Sequence, residues 1–145
     1  MRDLRSLQAL LPVLVLVGCA QGGGGAPTPS AAGATPQDVE WTLRELGGAP
    51  IQTAEGGRPP TLLLAGAERR ATGHAGCNRM TGTYESAGET LRFGAMATTR
   101  MYCPAMDLEQ RYLAALGGTR SYRRSEGSLE LLDERGAVVA KFSQP

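Results

Sequence analysis

The sequence predicts a mainly β domain of the α+β class, an antiparallel meander curled into a partly open barrel with one helix packed on it. Two observations point there. Apolar and polar residues alternate in short runs separated by glycine-bearing turns, and only one stretch carries helical spacing. The composition agrees: 41% hydrophobic, 5% aromatic, 20 Gly and 9 Pro in 145 residues allow one modest core built from short elements. Hairpin-joined strands with a single intervening helix favour an antiparallel sheet over a βαβ architecture.

The amino terminus reads as an address. Met1 to Arg5 carries two Arg and one Asp, Ala9 to Val17 is apolar, and Leu16-Val17-Gly18-Cys19 follows. This is the order of a secretory signal, residues 1–18, and Leu16 to Cys19 resemble a bacterial lipobox with Cys19 as the acylated residue. Through Cys19 the apolar stretch reaches roughly 16 Å as a helix against a hydrocarbon core of about 30 Å, too short for a spanning anchor. Ala20 to Asp38 is rich in Gly, Pro and Ala with no larger aliphatic side chain and no aromatic. Residues 19–38 are therefore expected to be a lipidated cysteine and a flexible tether.

The folded domain is expected over residues 39–145. Val39, Trp41 and Leu43 alternate with Glu40, Thr42 and Arg44, which predicts a strand with Trp41 facing the core. Thr61 to Ala65 and Arg69 to Ala75 form the next pair around Gly66-Ala67-Glu68. Thr81 to Glu85 and Glu89 to Phe93 pair around Ala87-Gly88. A helix is predicted from Pro104, with Leu108, Tyr112, Ala115 and Leu116 at helical spacing and Gly117-Gly118 as its stop. Asp107 and Glu109 in its first turns suit the helix dipole. Arg120 to Arg124, Ser128 to Leu132 and Ala137 to Phe142, separated by Glu126-Gly127 and Asp133 to Gly136, close the chain as hairpins.

The most distinctive segment holds Gly73, Gly76, Cys77, Asn78, Gly82 and Tyr84, followed by Thr98, Met101 and Cys103. With Trp41 and Leu43 before it and the Leu129 to Leu131 and Val139 to Phe142 runs after it, the chain resembles the META domain, or HslJ-like, family from Trp41 to Phe142. Tyr102 and Pro104 around Cys103 depart from the family's usual pattern, in which Ala before the Cys is common. The resemblance implies a compact, mainly antiparallel β domain with a helix, often found on secreted or lipid-anchored bacterial proteins, some members being associated with heat-shock induction, novobiocin tolerance, or motility and virulence. It supplies no catalytic residues. Physically, Gly76 fits a turn entering Cys77, Gly73 and Gly82 fit close packing between paired strands, and Asn78 fits a turn that it bonds locally or enters left-handed.

Cys77 and Cys103 remain as an even pair once Cys19 is acylated, and in an exported domain such a pair reads first as a disulfide. Two alternatives stay open: a zinc site using His74 with both cysteines, and a Cys77 nucleophile with His74 as base. His74 is the one histidine, and no fourth ligand stands at a recognisable spacing, so no metal or cofactor is assigned. Glu85 with Glu89, and Asp133 with Glu134, are carboxylate pairs at turn tips. Arg120, Arg123 and Arg124 with Tyr122, and Arg69 with Arg70, are candidates for a basic face toward an anionic glycan or protein.

With 15 Lys plus Arg against 14 Asp plus Glu, the charge gives no reason to expect nucleic acid as a partner. The expected protein is a lipid-anchored module of the cell envelope, held to a membrane through Cys19, in the outer membrane if the host has two. It is expected to be non-enzymatic, contributing to envelope stress tolerance or binding an envelope protein or glycan partner. The competing class is a small envelope hydrolase or redox enzyme built on Cys77 and His74.

Overall fold

The computed structural model describes residues 35–53 and 57–145; the predicted signal peptide, Cys19 and most of the predicted tether lie outside the described residues. In chain order the elements are β1 (Glu40–Leu46), β2 (Ala49–Pro50), β3 (Thr61–Ala65), β4 (Arg70–His74), β5 (Arg79–Ala87), β6 (Thr90–Phe93), β7 (Ala97–Thr98), α1 (Met106–Gly118), β8 (Ser121–Ser125), β9 (Ser128–Leu132) and β10 (Val138–Ser143). All strand pairs are antiparallel. The mainly β class, the meander and the single helix among the described residues match the sequence reading.

The barrel is closed rather than partly open. β1 pairs β3 through Glu40, Trp41 and Thr42, and then pairs β10 through Thr42, Leu43, Glu45 and Leu46. One strand therefore joins both ends of an eight-stranded sheet. A register shift between Leu43 and Glu45 explains why the sequence hides this closure: the bulge leaves polar Arg44 and Glu45 adjacent and breaks the period-two pattern. A matching shift lies between Val138 and Ala140 on β10. The thinnest seam is β6 to β8, where Thr90 faces Ser121, the Leu91 amide donates to the Arg120 carbonyl at 3.1 Å and the Tyr122 amide to the Glu89 carbonyl at 2.9 Å.

Alternation sends one face of every long strand into a single core. Trp41 and Leu43 from β1, Leu62 and Leu64 from β3, Leu91 from β6, Leu129 and Leu131 from β9 and Phe142 from β10 are all buried there. The helix adds Leu108, Tyr112 and Leu116, four residues apart and hence on one stripe. Tyr112 packs its ring 6.1 Å from that of Phe142 and donates its hydroxyl to the Thr61 carbonyl at 3.3 Å. The helix begins at Met106, not at Pro104, which instead occupies the turn leading into it.

The last residues of the predicted tether, Thr35 to Asp38, are part of the fold. The Asp38 amide donates to the Leu64 carbonyl at 2.9 Å, and its Oδ1 accepts from the Gly66 amide at 3.0 Å. Trp41 Nε1 donates to the Pro36 carbonyl at 2.9 Å, while the Arg124 guanidinium lies 5.2 Å from the Trp41 ring centre and donates to the Thr35 carbonyl. The sequence reading missed this because the segment carries no large apolar residue: it is held by its backbone and by the Asp38 carboxylate. Its bonds fall at the Ala65 end of β3.

Candidate functional site

At the opposite end of β3, the strands β4 and β5 are joined by the Ala75-Gly76-Cys77-Asn78 turn. The Ala75 amide donates to the Asn78 carbonyl at 2.8 Å, and Gly76 sits at φ +107°, a conformation that favours glycine. A Cβ on Gly73 would overlap the Thr61 carbonyl, and one on Gly82 would overlap Met96. These roles are the ones the sequence suggests. Tyr84 closes the far end of β5, its hydroxyl donating to the Ala65 carbonyl at 3.1 Å, and burial raises its pKa.

Asn78 does something other than the local turn bonding expected of it. It is only 2% exposed and reaches across to the loop that follows β7. Its Oδ1 accepts from the Thr99 hydroxyl at 2.8 Å and from the Met101 amide at 2.7 Å. Its Nδ2 donates to the Met101 carbonyl at 3.1 Å and to Glu109 Oε1 at 3.1 Å. Two donors and two acceptor sites are the whole capacity of a side-chain amide, so Asn78 is fully committed. Glu109 Oε2 meanwhile accepts from the Asn78 backbone amide at 2.8 Å. Sequence reasoning assigned Glu109 to the helix dipole, whereas it is 4% exposed and serves as the helix's attachment to this turn. A signal was present: Glu109, Tyr112 and Leu116 stand three and four residues apart on the packed face.

The Cys77–Cys103 disulfide is formed, with Cα atoms 6.0 Å apart. It fastens the same loop one residue beyond Tyr102. His74 ends β4 opposite Arg79, and its Nδ1 accepts from the Gly76 amide at 3.2 Å. That bond occupies the Nδ1 lone pair of the ring. Among the described residues no group of three His, Cys, Asp or Glu is placed to hold a metal ion.

The other candidates disperse. Glu85 faces Arg92 across β5 and β6, not Glu89. Asp133 Oδ1 accepts from the Arg135 and Ala137 amides, each at 2.9 Å, and so shapes its own hairpin. The Arg120 to Arg124 segment is not one basic face: Arg120 donates to the Gly117 and Thr119 carbonyls, Tyr122 points inward, and Arg124 covers Trp41. Arg123 joins a row of alternating charge across four strands on the barrel's outer side: Arg123 to Glu130 at 3.1 Å, Glu130 to Lys141 at 3.8 Å and Lys141 to Glu45 at 3.3 Å. The row crosses the β1–β10 closure and lines an open cleft of about 390 Å³ with Gly48, Val138 and Ala140.

A closed antiparallel barrel with one helix, in which a Gly-Cys-Asn turn and a disulfide pin the loop before that helix, defines a class of small β domain. The chain belongs to the META domain family, whose model matches residues 34–145. Its fold is similar to a protein from Burkholderia xenovorans solved by NMR, at 30% identity and TM-score 0.63, covering 83% of this chain and 92% of that one. A DUF4847 family protein from Bacteroides vulgatus shares the fold at 15% identity and TM-score 0.57, covering 76% of this chain and 94% of that one. A further NMR structure matches at 20% identity and TM-score 0.59, covering 77% and 95%. No curated protein matches the chain.

Proposed function

We propose that this META-domain protein is a non-catalytic, lipid-anchored module of the cell envelope that contributes to stress tolerance by binding a protein partner. The observation that carries the reading is the full commitment of the motif's polar groups to internal bonds. The Asn78 amide makes four hydrogen bonds within the domain, Cys77 is bonded to Cys103, and the His74 lone pair is taken by Gly76. Chemistry at Cys77 and His74 needs a free thiolate and a free imidazole nitrogen, and both are engaged. What the turn does instead is hold the loop from Thr99 to Cys103 in one conformation.

Anchoring rests on the Leu16-Val17-Gly18-Cys19 sequence and the Gly/Pro/Ala stretch behind it. Among the described residues no helix is long and apolar enough to cross a membrane. With the anchor at Cys19, the chain enters the barrel at the Ala65 end of β3 and leaves the Thr99 to Cys103 loop at the other end. The test has two arms. Labelled palmitate should be incorporated by the wild-type chain and lost in Cys19→Ala, and unchanged labelling of that variant refutes the anchor. His74→Ala should complement a deletion strain under envelope stress as well as the wild type does; a folded His74→Ala protein that fails to complement refutes the non-catalytic reading.

A further inference from the structure

Among the described residues two large hydrophobic side chains are exposed, Met101 at 65% and Tyr102 at 94%, and they are adjacent. Single exposed apolar side chains are ordinary on a soluble surface. This pair differs in how firmly its backbone is held. Both the amide and the carbonyl of Met101 are bonded by Asn78, the Thr99 hydroxyl is bonded by the same side chain, and Cys103 is tied to Cys77. Asn78 is in turn fixed by the buried Glu109 of α1. Helix, turn, amide and disulfide converge on a loop whose Met101 side chain is largely exposed and whose Tyr102 side chain is almost wholly so.

A rigid loop has already lost the entropy that docking would otherwise remove; tyrosine, methionine and arginine are enriched in interfaces, and tyrosine and arginine where the binding energy concentrates. The surroundings indicate the partner's chemistry. Arg100 is exposed immediately before Met101, and exposed Arg79 lies beside Thr99, with which its backbone exchanges bonds. Neither guanidinium forms an ion pair among the described residues. Of the acidic groups in the first turns of the helix, Glu109 is buried and bonded to Asn78, and Asp107 is paired with Arg111 at 3.1 Å. The tip therefore presents an apolar, aromatic centre with an unneutralised basic flank.

We infer that the Arg100-Met101-Tyr102 tip is the docking site of the domain, and that its partner is a protein offering an apolar pocket rimmed by carboxylates. This rests on the partner-binding reading above and names the surface that does the binding. Met101 and Tyr102 fill the pocket, while Arg100 and Arg79 meet the acidic rim, where opposite charge steers association and fixes orientation. The same arrangement gives the family motif a purpose: Gly76, Cys77 and Asn78 shape and hold the tip without touching the partner.

The test places a photo-crosslinking p-benzoylphenylalanine in the full chain in its host, at position 102, with exposed hairpin positions 87 and 134 as controls. The expected result is a discrete protein adduct from 102 and none from 87 or 134, with yield falling about fivefold or more when Arg100→Glu is added. An adduct from 102 that ignores the charge reversal overturns the acidic rim. Adducts from 87 or 134 alone overturn the tip and leave partner binding standing. Adducts from 102 only to lipid, or at twice the mass of the chain, overturn the inference in favour of a membrane surface or a second copy. No protein adduct from any position overturns partner binding itself.

Discussion

Replacing Asn78 by Asp alters the latch with almost no change in shape, and the structure sets the size of the effect. In the wild type, Nδ2 donates to Glu109 Oε1 and to the Met101 carbonyl, both at 3.1 Å. In Asn78→Asp that position becomes an oxygen facing two acceptors. Two ionised carboxylates about 3.1 Å apart repel by roughly 5 kcal/mol at an effective dielectric of 20, and two hydrogen bonds worth about 1 kcal/mol each are lost. The native protein lowers this penalty by retaining one proton between the two groups. That proton is bound in the folded state and released in the unfolded state once pH exceeds the ordinary carboxylate range of about 4. Stability of the variant relative to wild type therefore falls as pH rises from about 4 toward 7. Urea unfolding of wild type and variant across that range should show a loss of about 3 to 5 kcal/mol at pH 7 and clearly less at pH 4. An equal loss at both ends, or a loss under about 1 kcal/mol at pH 7, would refute the Asn78–Glu109 pairing.

Reducing the disulfide should lower stability by about 3.5 kcal/mol, the chain-entropy value for a sequence separation of 26, and neither Cys77 nor Cys103 should alkylate in the native oxidised protein. Gly73→Ala should lower stability by more than about 3 kcal/mol or prevent folding, because its Cβ meets backbone rather than a movable side chain, and thermal unfolding will report it. Lys141→Ala removes two partly exposed ion pairs and should cost no more than about 1 kcal/mol, a difference that disappears near 1 M salt. The buried Tyr112 hydroxyl has its pKa pushed far above 10 by burial, so it should stay protonated in spectrophotometric titration until the protein unfolds. The unfolded chain loses that proton near pH 10, so this residue makes stability fall as pH rises beyond that point.

The parts of the fold that were legible in the sequence are those set by local pattern. Thr61–Ala65 falls where its short apolar run places it and Ser128–Leu132 where its flanking turns do, and Gly88, Gly127 and Gly136 adopt the positive φ their turns require. The two-residue strands β2 and β7 carry too little pattern to detect, and the bulge at Arg44 masks the segment that closes the barrel. In the candidate site, the bridge between Cys77 and Cys103 was readable from the parity of the cysteines. The role of Asn78 was not, because its side-chain partners Thr99, Met101 and Glu109 stand more than twenty residues away and nothing local announces them. Glu109 shows the same limit in reverse: its place in the first helical turns offered a sufficient local explanation that the packing then overrode.

The central claim is that Asn78 is a structural latch for the loop carrying Met101 and Tyr102. Amide hydrogen exchange at Met101 tests it most directly, since this N–H lies in an exposed loop and owes its protection to Asn78 Oδ1 at 2.7 Å. In the wild type the Met101 amide should exchange slowly. In Asn78→Ala it should approach the rate of an open chain, while the amides of Leu62 and Leu131 in the barrel stay protected. A Met101 amide that already exchanges at the open-chain rate in the wild type, or that keeps its protection in Asn78→Ala, contradicts the account.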